Sequence, residues 1–149
     1  MPKENTWTPQ SPQPKWWEAR DAACPPGTQL VGAPPPRGQV VECVRPNGLV
    51  HGSSSVWYPN GHEGTLTEYE NGTRNGRWLY WLHGHKLVEG AFRNGRRDGT
   101  WTYWFDGGSG FDVESRLDRE YNDKNYVVEQ YTNGLLVKTT RFRDGKPQP

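Results

Sequence analysis

The feature that most constrains this chain is a phrase written twice at a fixed spacing. Asn71-Gly72 returns as Asn94-Gly95, Gly76 as Gly99, and Trp78, Tyr80 and Trp81 as Trp101, Tyr103 and Trp104, each 23 residues later. A constant period of this size is the mark of a repeat array, in which each unit rests on its neighbours. Asn-Gly is the strongest short hairpin signal, because both residues tolerate the positive φ of a type I′ turn. Tyr69 and Phe92 precede the two turns, and Trp78-Leu79-Tyr80-Trp81-Leu82 follows the first, so each unit reads strand, turn, strand. Alternation along that strand puts Trp78 and Tyr80 on one face and Leu79 and Trp81 on the other. Stacked units would set Trp78 beside Trp101 and Trp81 beside Trp104. Gly76 and Gly99 read as relief points just before the tryptophan strands.

A fainter copy precedes these units. Pro46-Asn47-Gly48 and Gly52 match the turn, Val56-Trp57 matches Tyr80-Trp81, and Ser54 stands where the first tryptophan should be, as in a polar capping unit. Asn60-Gly61 gives a further turn. Beyond Phe105 the period breaks, then Tyr131-Thr132-Asn133-Gly134 and Phe142-Arg143-Asp144-Gly145 repeat the end of the phrase. The expected fold is all-β: an elongated single-layer antiparallel meander of repeated β-hairpins, with an irregular Pro/Trp-rich N-terminal arm. Its expected parts are an arm over residues 1–23, a Cys-bracketed cap over 24–45, repeats over 46–107, and an irregular repeat with a closing hairpin over 108–149. Within the arm, four prolines alternate with Trp7, Trp16 and Trp17. It reads as a disordered leader or as a segment whose tryptophans dock on a sheet edge or a partner, with one helical turn over Glu18 to Ala23.

The repeated residues Asn71-Gly72…Gly76-Arg77-Trp78…Tyr80-Trp81 and Asn94-Gly95…Gly99-Thr100-Trp101…Tyr103-Trp104 resemble the MORN-repeat proteins. The nearer likeness is to the bacterial MORN-like variant of antitoxin or immunity proteins and envelope lipoproteins. The usual repeat carries a further glycine where Trp78 and Trp101 stand here, which weakens the lipid contact known for other members. Cys24 and Cys43 are the two cysteines of the chain. A disulfide between them would close a loop of about 20 residues and stabilise by roughly 3 kcal/mol; in a reducing compartment they would stay thiols. The resemblance favours the disulfide, since secreted MORN-like proteins often open with a Cys-Pro-x-Gly-Thr segment, as at Cys24 to Thr28.

Composition narrows the function. Aromatic residues form 13% of the chain and the net charge is +1, so the apolar surface is ring-rich and no strong positive field prepares it for nucleic acid. No phosphate-cradling or nucleophile-elbow motif appears. His83-Gly84-His85 lacks further ligands and reads as a turn rather than a metal site. The expectation is a chain without enzymatic activity, cofactor or metal, which binds another protein or acts as a scaffold. Its candidate contacts are Trp57, Trp81, Trp104, Arg93 and Arg97. Immunity or antitoxin action, or self-assembly through sheet edges or the arm in an envelope or filament structure, are the alternatives. The opening residues lack an apolar h-region. The expected compartment is therefore the cytoplasm if Met1 is the true start, and the cell envelope if the cysteines pair.

Overall fold

A computed structural model describes residues 13–82, 84–105 and 123–149. The described chain is all-β. Its strands are β1 (Gln29–Ala33), β2 (Val40–Val44), β3 (Val50–Trp57), β4 (Glu63–Glu70), β5 (Thr73–Leu82), β6 (His85–Arg93), β7 (Arg96–Tyr103), β8 (Tyr126–Thr132), β9 (Leu135–Arg143) and β10 (Lys146–Pro147). They form one antiparallel sheet in sequence order, the single-layer meander expected from the repeat. A 3-10 helix, Trp16–Ala22, precedes them. The N-terminal tryptophan Trp7 and the charged run from Asp112 to Arg119 lie outside the described residues, as does His83.

The turns come in two chemistries. Asn71-Gly72, Asn94-Gly95, Asn133-Gly134 and Asp144-Gly145 all hold positive φ at both residues, near 50° then near 80°, the type I′ geometry that suits the right-handed twist of the flanking strands. Pro46-Asn47-Gly48 and Pro59-Asn60-Gly61 differ. Proline fixes a negative φ, so the left-handed residue is deferred to the glycine and the loop gains a residue. In both, the amide of that glycine donates to the carbonyl before the proline (Gly48 to Arg45, 2.8 Å; Gly61 to Tyr58, 2.9 Å). The asparagine Oδ1 accepts from the residue after the glycine, Leu49 or His62.

Each type I′ turn is fastened to the strand start two strands earlier. The Gly72, Gly95, Gly134 and Gly145 amides donate to the carbonyls of Val50, Arg74, Arg97 and Lys124, at 2.8–2.9 Å. One residue on, a side chain receives the other turn amide: Asn71 donates to His51 Nδ1, Asn94 to Asn75 Oδ1, Asn133 to Asp98 Oδ1 and Asp144 to Asn125 Oδ1. Turn amides that would otherwise face water thus join one unit to the next. Arg74 and Arg97 reinforce the joint, lying 4.0 Å over Phe92 and 4.8 Å over Trp101.

Gly76 corrects the sequence reading. It lies inside β5 at φ 117°, not ahead of the strand. A Cβ there would meet Glu68, which sits at a register shift of β4 and accepts the Arg77 amide at 2.7 Å. The glycine accommodates a bulge in the partner strand.

One face of the sheet carries Trp78, Tyr80, Phe92, Trp101, Tyr103 and Tyr131. Trp78 and Trp101 stack at 5.7 Å, as the period required. They can do so because Gly90, paired with Trp78, leaves room: a Cβ on Gly90 would stand 2.1 Å from the Trp101 ring. Leu66, Leu79 and Trp81 line the opposite face, where Trp16 covers them. Trp16 Nε1 donates to Ser55 Oγ at 2.8 Å, Trp17 meets Trp57 edge-on at 5.2 Å, and Cys24 is disulfide-bonded to Cys43. From residue 13 onward the N-terminal segment is therefore ordered and docked on a sheet face, not on an edge.

Candidate interaction surface

The five residues offered as contacts fall into different places. Trp57, Trp81 and Trp104 are 7%, 1% and 1% exposed, so they serve as core rather than as a contact surface. The reason is the N-terminal segment: a one-layer sheet needs cover on each ring-bearing face, and Trp16 and Trp17 supply it over Trp81 and Trp57. The buried ammonium of Lys86 lies 5.7 Å from the Trp104 ring and pairs with Glu89 at 2.6 Å. Arg93 stays exposed and pairs with Asp98 at 3.4 Å.

Arg97 turns inward. Its Nη1 donates to the Tyr103 hydroxyl at 3.0 Å and the Tyr131 hydroxyl at 3.3 Å, and Tyr131 donates to the buried Glu129 carboxylate at 2.8 Å. Burial holds the Tyr103 phenol well above its ordinary pKa, against the pull of Arg97. Burial works against the Arg97 charge too, but Tyr103, the Tyr131 hydrogen bond and Glu129 outweigh it and raise its pKa. This chain of groups ties β7 to β8 as a satisfied internal network. The three arginines around Asn94-Gly95 go different ways: Arg97 is internal, Arg93 is paired, and Arg96 packs along Gly134.

A cleft of about 950 Å³ lies between the Ala22–Leu30 segment and Gly52, Ser53, Glu68 and Asn75. Two of its polar side chains are engaged: Glu68 accepts from the Arg77 amide, and Asn75 accepts from the Asn94 amide. Among the described residues no group of three or more His, Cys, Asp or Glu side chains is placed to hold a metal ion.

The accessible surface that reasoning from sequence missed is β9. Leu135, Leu136 and Val137 are 70%, 49% and 61% exposed, the most exposed large aliphatic residues described. They follow Asn133-Gly134 as Thr73-Arg74-Asn75 follows Asn71-Gly72 and Arg96-Arg97-Asp98 follows Asn94-Gly95. Reading the triplet after each turn, rather than the turn alone, would have found them. On one side β9 pairs with β8 along its length; on the other, β10 reaches only Phe142 and Arg143, with Gln148 donating to the Arg141 carbonyl. Comparison with family models, curated proteins and solved structures returns no match, so the MORN-like resemblance rests on the repeated motif.

Proposed function

We propose that this chain is a protein-interaction module without catalytic activity, built on MORN-like hairpin repeats, that holds a partner at the exposed aliphatic residues of β9. The observation that carries this reading is the change of chemistry in the triplet that opens β9. Where Thr73-Arg74-Asn75 and Arg96-Arg97-Asp98 carry polar and charged residues that fasten a later turn, Leu135-Leu136-Val137 presents three exposed aliphatic residues. Exposed aliphatic groups in a row on a strand edge are a liability unless something covers them. The Cys24–Cys43 disulfide supports an oxidising compartment. A toxin-blocking role is a special case of the same reading, with a toxin as the partner.

Crosslinking and affinity capture with the intact, oxidised chain tests this. A protein retained in fixed stoichiometry by the folded chain, and lost when the chain is reduced and unfolded, is the expected result. Equal recovery by folded and unfolded chain contradicts the reading. Self-assembly is the second reading, favoured by the open edge of β1, where Leu30 and Val31 are also exposed. Light scattering that finds a strict monomer at high concentration removes it.

A further inference from the structure

The segment that covers Trp57 and Trp81 is held unlike any strand. From Gln13 to Ala22 it joins no ladder of the described sheet. Its Gln13 amide donates to the Glu63 carboxylate at 2.8 Å. Ser55 Oγ accepts from the Trp16 indole at 2.8 Å and donates to Gln13 Oε1 at 2.7 Å. The rest is ring contact, Trp16 against Leu66, Leu79 and Trp81, and Trp17 against Trp57. The fit carries a defect: Gln13 is only 5% exposed, and its Nε2 has no hydrogen-bond partner. A buried amide left unpaired favours release into water.

What fastens the segment is covalent. Its 3-10 helix ends at Ala22, Ala23 follows, and Cys24 is bonded to Cys43 in β2. Without that bond the next attachment to the sheet is β1, which begins at Gln29. Between them Pro25 to Thr28 is a turn closed on itself, the Thr28 amide and hydroxyl both donating to the Pro25 carbonyl.

The two sulfurs differ in access. Cys43 is 0% exposed. Pro25 and Cys43 crowd Gly52, where a Cβ would stand 2.7 Å from the proline ring and 3.1 Å from Cys43 Cβ. Cys24 is half-buried and lines the cleft of about 950 Å³. An attacking thiolate therefore meets Cys24 first.

We propose that the Cys24–Cys43 bond is a redox latch: a dithiol reductant opens it at Cys24, and the segment leaves the face of Trp57, Leu66, Leu79 and Trp81 while the repeat sheet stays folded. One thiolate of the dithiol bonds to Cys24 Sγ as the disulfide breaks; the electron pair passes to Cys43 Sγ, which takes up a proton. The second thiolate then displaces Cys24 Sγ, which is protonated in turn, and the dithiol departs as a disulfide, oxidised by two electrons. The sheet survives because the Trp78–Trp101 stack lies on the opposite face and its turns are fastened by amides, not by sulfur.

Hydrogen exchange followed by NMR on the intact chain, before and after dithiothreitol, tests this. Reduction is expected to speed exchange of the Gln13 amide and the Trp16 indole N–H at least about tenfold, and to change the Gly95 amide less than about twofold. Reoxidation restores the starting rates. Glutathione, offered as a single thiol, is expected to be trapped as a mixed disulfide on Cys24. Trp16→Ala in the oxidised chain should bind the apolar dye anilinonaphthalene sulfonate as the reduced wild type does, while the oxidised wild type does not. Unchanged Gln13 and Trp16 rates after complete reduction overturn the proposal. So does loss of Gly95 protection, which would make the bond a staple of the whole fold, or a glutathione adduct on Cys43. Dye binding absent from both the reduced chain and Trp16→Ala would show that no face is uncovered, and overturns it too.

Discussion

The hairpins β6–β7 and β8–β9 share a turn but not a role. Both hold an Asn-Gly pair in the left-handed region, and both turns are fastened to an earlier strand by two amides. They part at the next three residues. Arg96-Arg97-Asp98 sends Arg97 over Trp101 and gives Asp98 to the following turn; Leu135-Leu136-Val137 lies open to solvent. The hairpin signal therefore fixes where a unit begins, and the triplet after it decides whether it offers a side-chain acceptor to a later turn.

The sharpest way to break the comparison is at the ring stack. Trp101→Ala should cost about 3–5 kcal/mol, as is usual for a buried tryptophan, whereas Leu136→Ala should stay within about 0.5 kcal/mol, as for an exposed site; chemical denaturation measures both. Gly90→Ala should behave like the tryptophan change, since its methyl would enter the ring. If Leu136→Ala were as costly as Trp101→Ala, β9 would be core and the contrast would collapse.

Removing the disulfide comes next. The double change Cys24→Ser, Cys43→Ser should lower stability by roughly 3 kcal/mol. Trp16 and Trp17 should become quenchable by acrylamide before the β5–β7 rings do, because the bond holds their segment against the sheet. Simultaneous exposure of all the tryptophans would show that the segment does not cover a separate face.

A smaller effect separates the two triplets directly. Asn75→Ala removes the acceptor of the Asn94 amide and should cost about 1 kcal/mol, the ordinary worth of one such hydrogen bond. Val137→Asn places the same acceptor on β9, where no described turn waits for it, and should leave the melting temperature unchanged.

The smallest expected effect is in alkali. Tyr103 is held neutral in the folded chain, so its folded pKa lies above the unfolded value of about 10. Its contribution is undiminished below that pH. Above it the unfolded chain releases the proton first, and stability falls as pH rises. Tyr103→Phe should flatten this slope in denaturation series run above pH 10; an unchanged slope would assign the titration elsewhere.

Much of the sheet was legible in the sequence because turn chemistry and ring spacing are local and periodic. The Asn-Gly turns, the two faces of Trp78-Leu79-Tyr80-Trp81 and the Trp78–Trp101 stack all follow from the 23-residue step. The covered face was not legible. Whether Trp57 and Trp81 are contacts or core depends on where Trp16 and Trp17 come to rest, and no periodicity links residues 16 and 81. The same limit hid Arg97, whose inward turn depends on Tyr131 across a gap in the repeat. The β9 edge went unread for another reason: Leu135, Leu136 and Val137 look like ordinary strand residues until they are set beside Asn75 and Asp98.

Amide hydrogen exchange followed by NMR tests the central claim most directly, since a two-residue turn amide ordinarily faces water and exchanges quickly. Interlocked units require the Gly72, Gly95 and Gly134 amides to exchange slowly, near the rates of β6, while the Thr139 amide on the open side of β9 exchanges fast. Rapid exchange at Gly95 beside a protected β6, or protection of Thr139 in the isolated chain, would contradict the account.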